Sequence, residues 1–371
     1  MKIPNGHEMI QLFEQFSPKG LAMEGDKIGL QIGRLNKKVN RIMIALDVLE
    51  NVIDEAIAKD VQLIIAHHPP IYRPLKNIIT ETVQGRMIEK LLKHDISVYA
   101  AHTNLDVAKG GVNDLLAAAL GLENTEVLVP TFDTLLKKIV VFVPASHAEE
   151  LRQVLGNAGA GFIGNYSHCS FSANGTGRFM PGDNTTPYIG KSGQVEAVDE
   201  VRIETIIPET LLKKTITAML KAHPYEEVAY DVYPLENKGE VLGLGRIGTI
   251  NEMTLAEFTE KVKSTLEVDK VRVVGDLTSK VKKVAVLGGD GNKYFMQAKF
   301  KGADVYVTGD VYYHTAHDAM MQGLNMIDPG HNVEKVMKKG LTEVLQKMSK
   351  ETGYDVEIFP SEVNTNPFQF V

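Results

Sequence analysis

Two adjacent histidines, His67 and His68, follow an apolar run in the segment VQLIIAHHPP, and two prolines close that segment. The run LIIA is typical of a buried strand, so both imidazoles stand where the strand ends. Neighbouring side chains in an extended chain point in opposite directions, so the pair can hardly chelate one ion inside a regular strand. At a strand end, each imidazole can instead serve one of two neighbouring metal ions. For an isolated pair, a purely structural or surface role is the competing interpretation.

Two further apolar runs end in side chains that can bind metals. The segment VYAAHTNLD ends in His102 and Asp106, and LNMIDPGH ends in Asp328 and His331, with Glu334 three residues later. In open α/β sheets, ligands bind outside the carboxyl ends of the strands, so three segments can deliver side chains to one rim. Neutral imidazole together with carboxylate suits zinc, manganese, iron, cobalt or nickel.

The predicted site is a pair of divalent ions. Residues at positions i and i+3 of a helix share a face, so His331 and Glu334 can converge. Asp106 and Glu334 are the carboxylates available to bridge two ions. Five ligands for two ions would leave coordination positions open for water. The predicted ligands are His67, His68, Asp106, His331 and Glu334.

A rival set lies in the segment TGDVYYHTAHD, which contains Asp310, His314, His317 and Asp318. These side chains could orient the ligating histidines, or they could form a solvated helix face. Asp310 follows a strand end, so it is the member expected to approach the site. His102 and Asp310 are the candidates for an acid or base beside the metals, although His102 could simply donate to a backbone carbonyl.

The apolar runs alternate with helices of about a dozen residues, which indicates parallel βαβ units of an α/β domain. Residues 131–236 differ, because their predicted order of strand, helix, strand, strand, helix and strand is that of a ferredoxin-like α+β domain. This domain would interrupt an α/β domain built from residues 1–130 and 237–371. Three residues are predicted to cap helices at their N-termini: Asn113, Ser146 and Thr254. The glycine segment LGGDGN is predicted to form a tight strand–helix turn, with a phosphate nest as the alternative.

Composition argues against several classes of protein, although a small local basic patch could still exist. The formal net charge of −7 provides no basic footprint for nucleic acid. A single cysteine, Cys169, rules out an intrachain disulfide and a thiolate zinc cluster. The N-terminal segment is polar and has no long apolar stretch, so neither a signal peptide nor a membrane anchor is predicted. A cytoplasmic protein is the expectation.

Six motifs occur in a fixed order: GDKIGLQIG, IIAHHPP, HTNLD, GGDG, TGD and DPGHNVEK. Together they resemble the NIF3-like family, also called the GTP cyclohydrolase 1 type 2 homologue family. The middle segment resembles the PII-like or CutA-like insert of longer bacterial members. The resemblance implies a toroidal homohexamer and a two-metal site with the five ligands named above, and it leaves His102 outside the metal ligands. Some shorter members separate the last histidine and glutamate by four residues, whereas His331 and Glu334 are three apart.

Two functions are expected. The first is hydrolysis of a nucleotide or phosphoester by water bound to two divalent ions, with zinc as the first choice of metal. No purine pocket or phosphate clamp can be identified as a set from the sequence. The second is a non-enzymatic, metal-binding regulatory scaffold whose insert senses a small ligand or a partner.

Overall fold

The computed structural model describes residues 2–369 and 371. The chain divides into two compact units, which are treated separately below. The first unit combines both ends of the chain, Met1–Phe132 and Leu242–Val371, and the second unit is the intervening segment Asp133–Val241.

The elements follow one another in three stretches of the chain. The first stretch contains α1 (Gly6–Phe16), β1 (Gly29–Ile32), β2 (Arg41–Ala45), α2 (Glu50–Ala58), β3 (Leu63–Ala66), α3 (Val83–Lys93), β4 (Ser97–Ala100), α4 (Thr103–Val107) and α5 (Val112–Ala119). The middle stretch contains β5 (Glu123–Pro144), α6 (Ala148–Asn157), β6 (Phe171–Phe179), β7 (Glu196–Pro208), α7 (Glu209–Ala222) and β8 (Tyr230–Thr254). The last stretch contains α8 (Leu255–Leu266), β9 (Arg272–Val274), β10 (Lys280–Asp290), α9 (Phe295–Phe300), β11 (Val305–Gly309), α10 (Tyr313–Met321), β12 (Asn325–Asp328), α11 (Val336–Thr352) and β13 (Glu357–Pro360).

The first sheet of unit 1 has the strand order β1–β4–β3–β2–β13. Strands β4, β3, β2 and β13 pair in parallel, and only the edge strand β1 runs antiparallel to its neighbour. Strands β3 and β4 are buried along their whole length, as expected for parallel strands covered on both faces. The pairing of Ala66 with Ala100 ends both strands at the same edge. The parallel arrangement predicted from the sequence is therefore confirmed for these strands.

In unit 1 the second sheet has the order β8–β10–β11–β12–β9. Strands β10, β11 and β12 are parallel, whereas β8 and β9 run antiparallel to their neighbours. The carboxyl ends of the three parallel strands therefore meet at one edge. One hydrophobic cluster contains side chains of both sheets and of helices α1, α5, α8 and α11, including Ile44, Ile65, Phe258, Val286 and Val307. Helices α5 and α11 pack against each other, α5 packs against β10 and α11 packs against β2, so these two helices join the two sheets.

The start of α8 shows how local sequence fixes an element. The side chain of Thr254 accepts a hydrogen bond from the backbone N–H of Glu257, and the Glu257 side chain accepts one from the Thr254 N–H. The N-cap predicted at Thr254 is confirmed. The other two predicted caps are wrong. Helix α5 begins after Gly111, and Asn113 is buried; α6 begins after His147, with no side-chain cap from Ser146.

Replacing Thr254 with alanine is expected to lower the free energy of unfolding by about 1 kcal/mol, because the backbone N–H of Glu257 loses its side-chain acceptor. Urea denaturation measures this change. The variant Thr254→Ser keeps the hydroxyl group and serves as the control. Equal destabilisation by both substitutions would show that the cap contributes nothing.

Unit 2 carries the elements β5, α6, β6, β7, α7 and β8 in that order along the chain. Its strands are arranged as β6–β7–β5–β8, with β7 antiparallel to both β6 and β5. Its core packs residues of β5 and β7 against both helices and includes Ile139, Val141, Leu151, Ile203 and Met219.

Within residues 2–369 and 371, none of the helices combines the length and the apolar composition needed to cross a membrane.

Candidate metal centre

Six side chains that can bind metals meet at the carboxyl edges of the two sheets of unit 1. Their ligand atoms form three groups, and within each group the atoms lie within 4.8 Å of one another. Strands β3 and β4 deliver the side chains from the first sheet, and the segment after β12 delivers the others. The groups are His67 with His68 and His102, His68 with His331 and Glu334, and His67 with Asp106 and Glu334.

His67 is completely buried and points one ring nitrogen into this cluster. Its Nδ1 lies 2.9 Å from the carbonyl oxygen of Ala101. Because a carbonyl can only accept, Nδ1 must donate the proton, and the neutral ring then carries its lone pair on Nε2. That Nε2 lies 3.6 Å from Asp106 Oδ1 and 3.7 Å from Glu334 Oε2.

Two of these buried atoms have no hydrogen-bond partner among the described residues, namely His67 Nε2 and Asp106 Oδ1. Buried polar atoms are almost always paired. An imidazole lone pair and a carboxylate oxygen that face each other without a hydrogen bond have the chemistry of metal ligands. The residues present therefore fit a divalent cation.

His68 and His331 are each held from behind by a carboxylate. His68 Nδ1 lies 2.7 Å from Asp47 Oδ1, and His331 Nδ1 lies 2.6 Å from Asp310 Oδ2. Their Nε2 atoms lie 3.1 Å and 3.2 Å from the same oxygen, Oε2 of Glu334. A carboxylate behind a histidine fixes ring orientation and tautomer in metal sites. Glu334 is thus the common neighbour of three imidazoles.

His102 has the same arrangement. Its Nδ1 lies 2.9 Å from Asp26 Oδ1, and the backbone N–H of Thr103 donates to Asp26 Oδ2 over 2.9 Å. The His102 ring centroid is 5.3 Å from that of His67 and 5.8 Å from that of His68. The resemblance left His102 outside the ligands, whereas the structure groups it with both histidines.

The pKa shifts follow from this concentration of charge. Burial raises the pKa of Asp106 to about 6. Burial lowers the pKa of His68, but hydrogen bonds from its ring to Asp47 and Glu334 outweigh it and raise the pKa to about 10. The hydrogen bond to Glu334 raises the pKa of His331 to about 9. Burial acts against ionised Glu334, but the surrounding histidines hold its pKa well below the usual range. Each carboxylate favours positive charge at the centre of the cluster.

His331 and Glu334 lie in a 3₁₀ helix, His331–Lys335, and not in the α-helix assumed from the sequence. In a 3₁₀ helix, residues i and i+3 eclipse each other. The three-residue spacing of this pair therefore brings both side chains to one side.

Asp328, another predicted ligand candidate, binds backbone N–H groups and an arginine instead. It accepts hydrogen bonds from Val311 N (3.0 Å) and Gly330 N (2.9 Å), and it pairs with Arg272.

The glycine segment 288–291 makes room for the cluster. Gly289 has a φ of +64°, and a Cβ atom there would lie 2.7 Å from Glu334 Oε1 and 3.3 Å from His331 Nε2. The N–H of Gly288 donates to Asn113 Oδ1, and the N–H of Gly291 donates to Thr308 Oγ1, each over 3.0 Å. These bonds favour the predicted tight turn over a phosphate nest.

The rival set separates into one residue near the cluster and three outside it. Asp310 has a left-handed φ of +54° and orients His331. His314, His317 and Asp318 are exposed on α10, and the two histidines pack edge-on against Tyr313.

Sequence reasoning missed Asp26 and Asp47. Asp47 lies two residues after the end of β2, so the carboxyl-end rule that found the other residues would also have found it. Asp26 lies in an irregular segment before β1, and no periodic signal marks it.

Removing an orienting carboxylate is expected to weaken metal binding tenfold to about a hundredfold, as for comparable partners of metal-bound histidines. Asp310→Ala tests this expectation, and titration with zinc by calorimetry measures the affinity. Asp318→Ala removes an exposed carboxylate eight residues away and should leave the affinity unchanged. Equal affinities in both variants would contradict the orienting role of Asp310.

Comparison with known proteins gives one family match. The family model Duf34/NIF3 (NGG1p interacting factor 3) matches residues 4–367. A Bacillus subtilis (strain 168) protein named GTP cyclohydrolase 1 type 2 homolog is 62% identical over 371 residues and is covered completely, as is this chain. A protein of the same name from Listeria innocua is 52% identical over 372 residues, again with complete coverage of both chains.

Two solved structures are also similar over the full length of both chains. The Bacillus cereus protein related to NIF3 matches with a TM-score of 0.96 and 64% sequence identity. A Staphylococcus aureus protein matches with a TM-score of 0.77 and 32% identity.

Proposed function

The chain belongs to the Duf34/NIF3 family, and from its buried cluster we propose that it holds two divalent metal ions. The observation that carries the proposal is the pair of unpartnered buried atoms, His67 Nε2 and Asp106 Oδ1. The first ion would be held by His67, Asp106 and Glu334, and the second by His68, His331 and Glu334. These sets follow two of the groups that lie within 4.8 Å, and Glu334 is common to both. Zinc is the proposed metal, because it accepts imidazole and carboxylate together; manganese, iron, cobalt and nickel are alternatives.

The proposed activity is hydrolysis of a nucleotide or phosphoester. When bound, paired divalent ions polarise a substrate oxygen and supply a hydrolytic nucleophile at neutral pH. The protein's own residues provide orientation and proton transfer. Asp47, Asp26 and Asp310 each hold one histidine by its Nδ1. His102 Nε2 is then the atom that can accept or return a proton beside the metals.

A screen with metal-loaded protein tests this proposal. GTP comes first, because the relatives carry the name GTP cyclohydrolase 1 type 2 homolog, and other nucleotides and phosphoesters follow. His67→Ala and His68→Ala should abolish any turnover. His94→Ala removes an exposed histidine at the end of α3 and is the matched control. Turnover that persists in both ligand variants would contradict the assignment of hydrolysis to this metal cluster.

A second candidate function is favoured by a cavity in unit 2. The cavity has a volume of about 660 Å³, and its lining includes four aromatic side chains: Phe142, Phe179, Tyr188 and Tyr225. Cavities of this size suit small molecules. We propose that unit 2 is a ferredoxin-like, PII-like domain whose cavity senses a small ligand, which would make the protein a metal-binding regulatory scaffold. The order of its helices and strands supports that fold.

Thermal shifts with a metabolite library distinguish the two functions. A ligand of unit 2 should stabilise the wild type but not Tyr188→Ala, whereas Tyr166→Ala, which removes an exposed tyrosine outside the cavity, should respond as the wild type does. A response that is equal in all three proteins would contradict binding in the cavity.

The toroidal homohexamer is likewise a proposal, and sedimentation velocity of the full chain measures the number of subunits.

A further inference from the structure

The segment that follows the two histidines forms one wall of a second cavity, which lies in unit 1. This groove has a volume of about 540 Å³, and the residues that line it include Pro70, Tyr72, Arg73, Lys76 and Asn77. Its other wall is the start of α3, where Gln84 Nε2 donates to the Pro70 carbonyl over 3.3 Å. None of the lining residues of the groove belongs to the metal cluster.

The charge of the groove has one sign. Its lining contains Arg73 and Lys76 but no aspartate or glutamate. Both cations are exposed, and within the described part of the chain neither forms an ion pair. Other cations of this region are neutralised: on α3, Arg86 lies 3.3 Å from Glu50, and Lys90 pairs with Asp54.

One end of the groove, at Pro70, lies close to the partly exposed His68. His67 and Glu334 are buried, whereas 24% of the His68 side chain and 37% of the His331 side chain are exposed. Solvent therefore reaches the cluster from the side of His68 and His331. Pro70 is two residues after His68, so its Cα lies within about 7 Å of the His68 Cα, and that of Tyr72 lies within about 14 Å.

We propose that this groove binds the phosphate group of a phosphorylated small molecule whose other end reaches the metal centre. The inference rests on the proposed metal-dependent function and names its substrate class: a molecule that carries a phosphate at one end and the bond to be hydrolysed at the other. The guanidinium of Arg73 can bind a phosphate through two parallel hydrogen bonds, and the ammonium of Lys76 adds a point charge. The Asn77 amide offers further donors, and the exposed Tyr72 ring offers a face for the organic part.

A fluorescence titration of the metal-loaded full chain tests the proposal. The protein contains no tryptophan, so Tyr72→Trp places a single reporter in the groove. The probes are inorganic phosphate, AMP and adenosine, at constant ionic strength. We expect phosphate and AMP to bind and adenosine to bind at least about tenfold more weakly than AMP, because it lacks the charged group.

The decisive variant combines Arg73→Ala with Lys76→Ala. We expect it to weaken AMP binding at least about tenfold, to the level of adenosine. The control combines Arg86→Ala with Lys90→Ala, which removes the same two charges from α3 outside the groove. The proposal is overturned if both double variants weaken AMP equally, if the groove variant binds AMP normally, or if neither phosphate nor AMP binds up to about 10 mM.

Metal content separates this proposal from the one it rests on. Both double variants should retain wild-type metal by elemental analysis, because they leave the cluster intact. Normal metal content with unchanged AMP binding in the groove variant would reject the groove and keep the metal centre. Metal-free wild-type protein that binds AMP as tightly as the metal-loaded protein, through Arg73 and Lys76, would overturn the proposal that one ligand spans the groove and the metals, whereas the metal centre itself is tested by the metal content.

Discussion

Glu334→Ala is expected to remove both metal ions and to lower metal affinity by more than about a hundredfold, beyond the loss caused by deleting an orienting residue. One oxygen of Glu334 lies 3.7, 3.1 and 3.2 Å from the Nε2 atoms of His67, His68 and His331. Without it, each proposed ion loses a ligand, and the imidazoles lose their common anion. Elemental analysis after extensive dialysis measures the metal content.

Two further variants make the Glu334 result specific. Glu334→Gln keeps the side-chain volume but loses the charge, so it should also lose metal. Glu343→Ala removes an exposed glutamate from α11 and should retain the full metal content. Wild-type stoichiometry in Glu334→Ala would refute its shared role.

Gly289→Ala is expected to produce two separate losses. The φ of +64° is a left-handed conformation that costs about 1–2 kcal/mol for a residue with a Cβ atom. The new methyl group would also lie 2.7 Å from Glu334 Oε1, so the glutamate must move. We expect metal affinity to fall about tenfold or more, because misplaced support of a ligand has effects of this order. Urea denaturation of metal-free protein and zinc titration measure the two losses.

Gly302→Ala provides a matched control for the stability cost of placing a Cβ atom on a left-handed backbone. Gly302 has a φ of +78°, and a Cβ atom there would meet nothing within 4 Å. It should therefore lose stability as Gly289→Ala does while binding zinc normally. Equal zinc affinities in both variants would contradict the claim that the missing side chain of Gly289 leaves room for Glu334.

The parallel strands were predictable because they are short, continuous apolar runs separated by helices. The runs at β2, β3, β4 and β11 are buried almost throughout, and a polar residue follows the end of each within two positions. The antiparallel strands β1 and β9 were not predictable, since they are not continuous apolar runs: β1 contains Gln31 and β9 begins with Arg272. Their pairing depends on distant parts of the chain.

The convergence of six metal-competent residues was largely predictable from strand ends, because the carboxyl edge of a sheet collects whatever follows its strands. Their roles depend on contacts that sequence spacing does not contain. Asn113 looked like a helix cap, but its side chain donates to the Asp106 carbonyl and accepts from Gly288 N–H, which joins the two sheets' edges. The 3₁₀ geometry at His331 is equally invisible in the pattern, since three-residue spacing fits both kinds of helix.

The most direct test is a crystal structure of the full chain with anomalous data collected on both sides of the zinc absorption edge. We predict two anomalous peaks about 3.5–4 Å apart. One should contact His67 and Asp106, the other should contact His68 and His331, and both should contact Glu334. A single peak bound away from Glu334, or ordered ligand side chains with no peak in protein purified without chelators, would contradict the dinuclear centre.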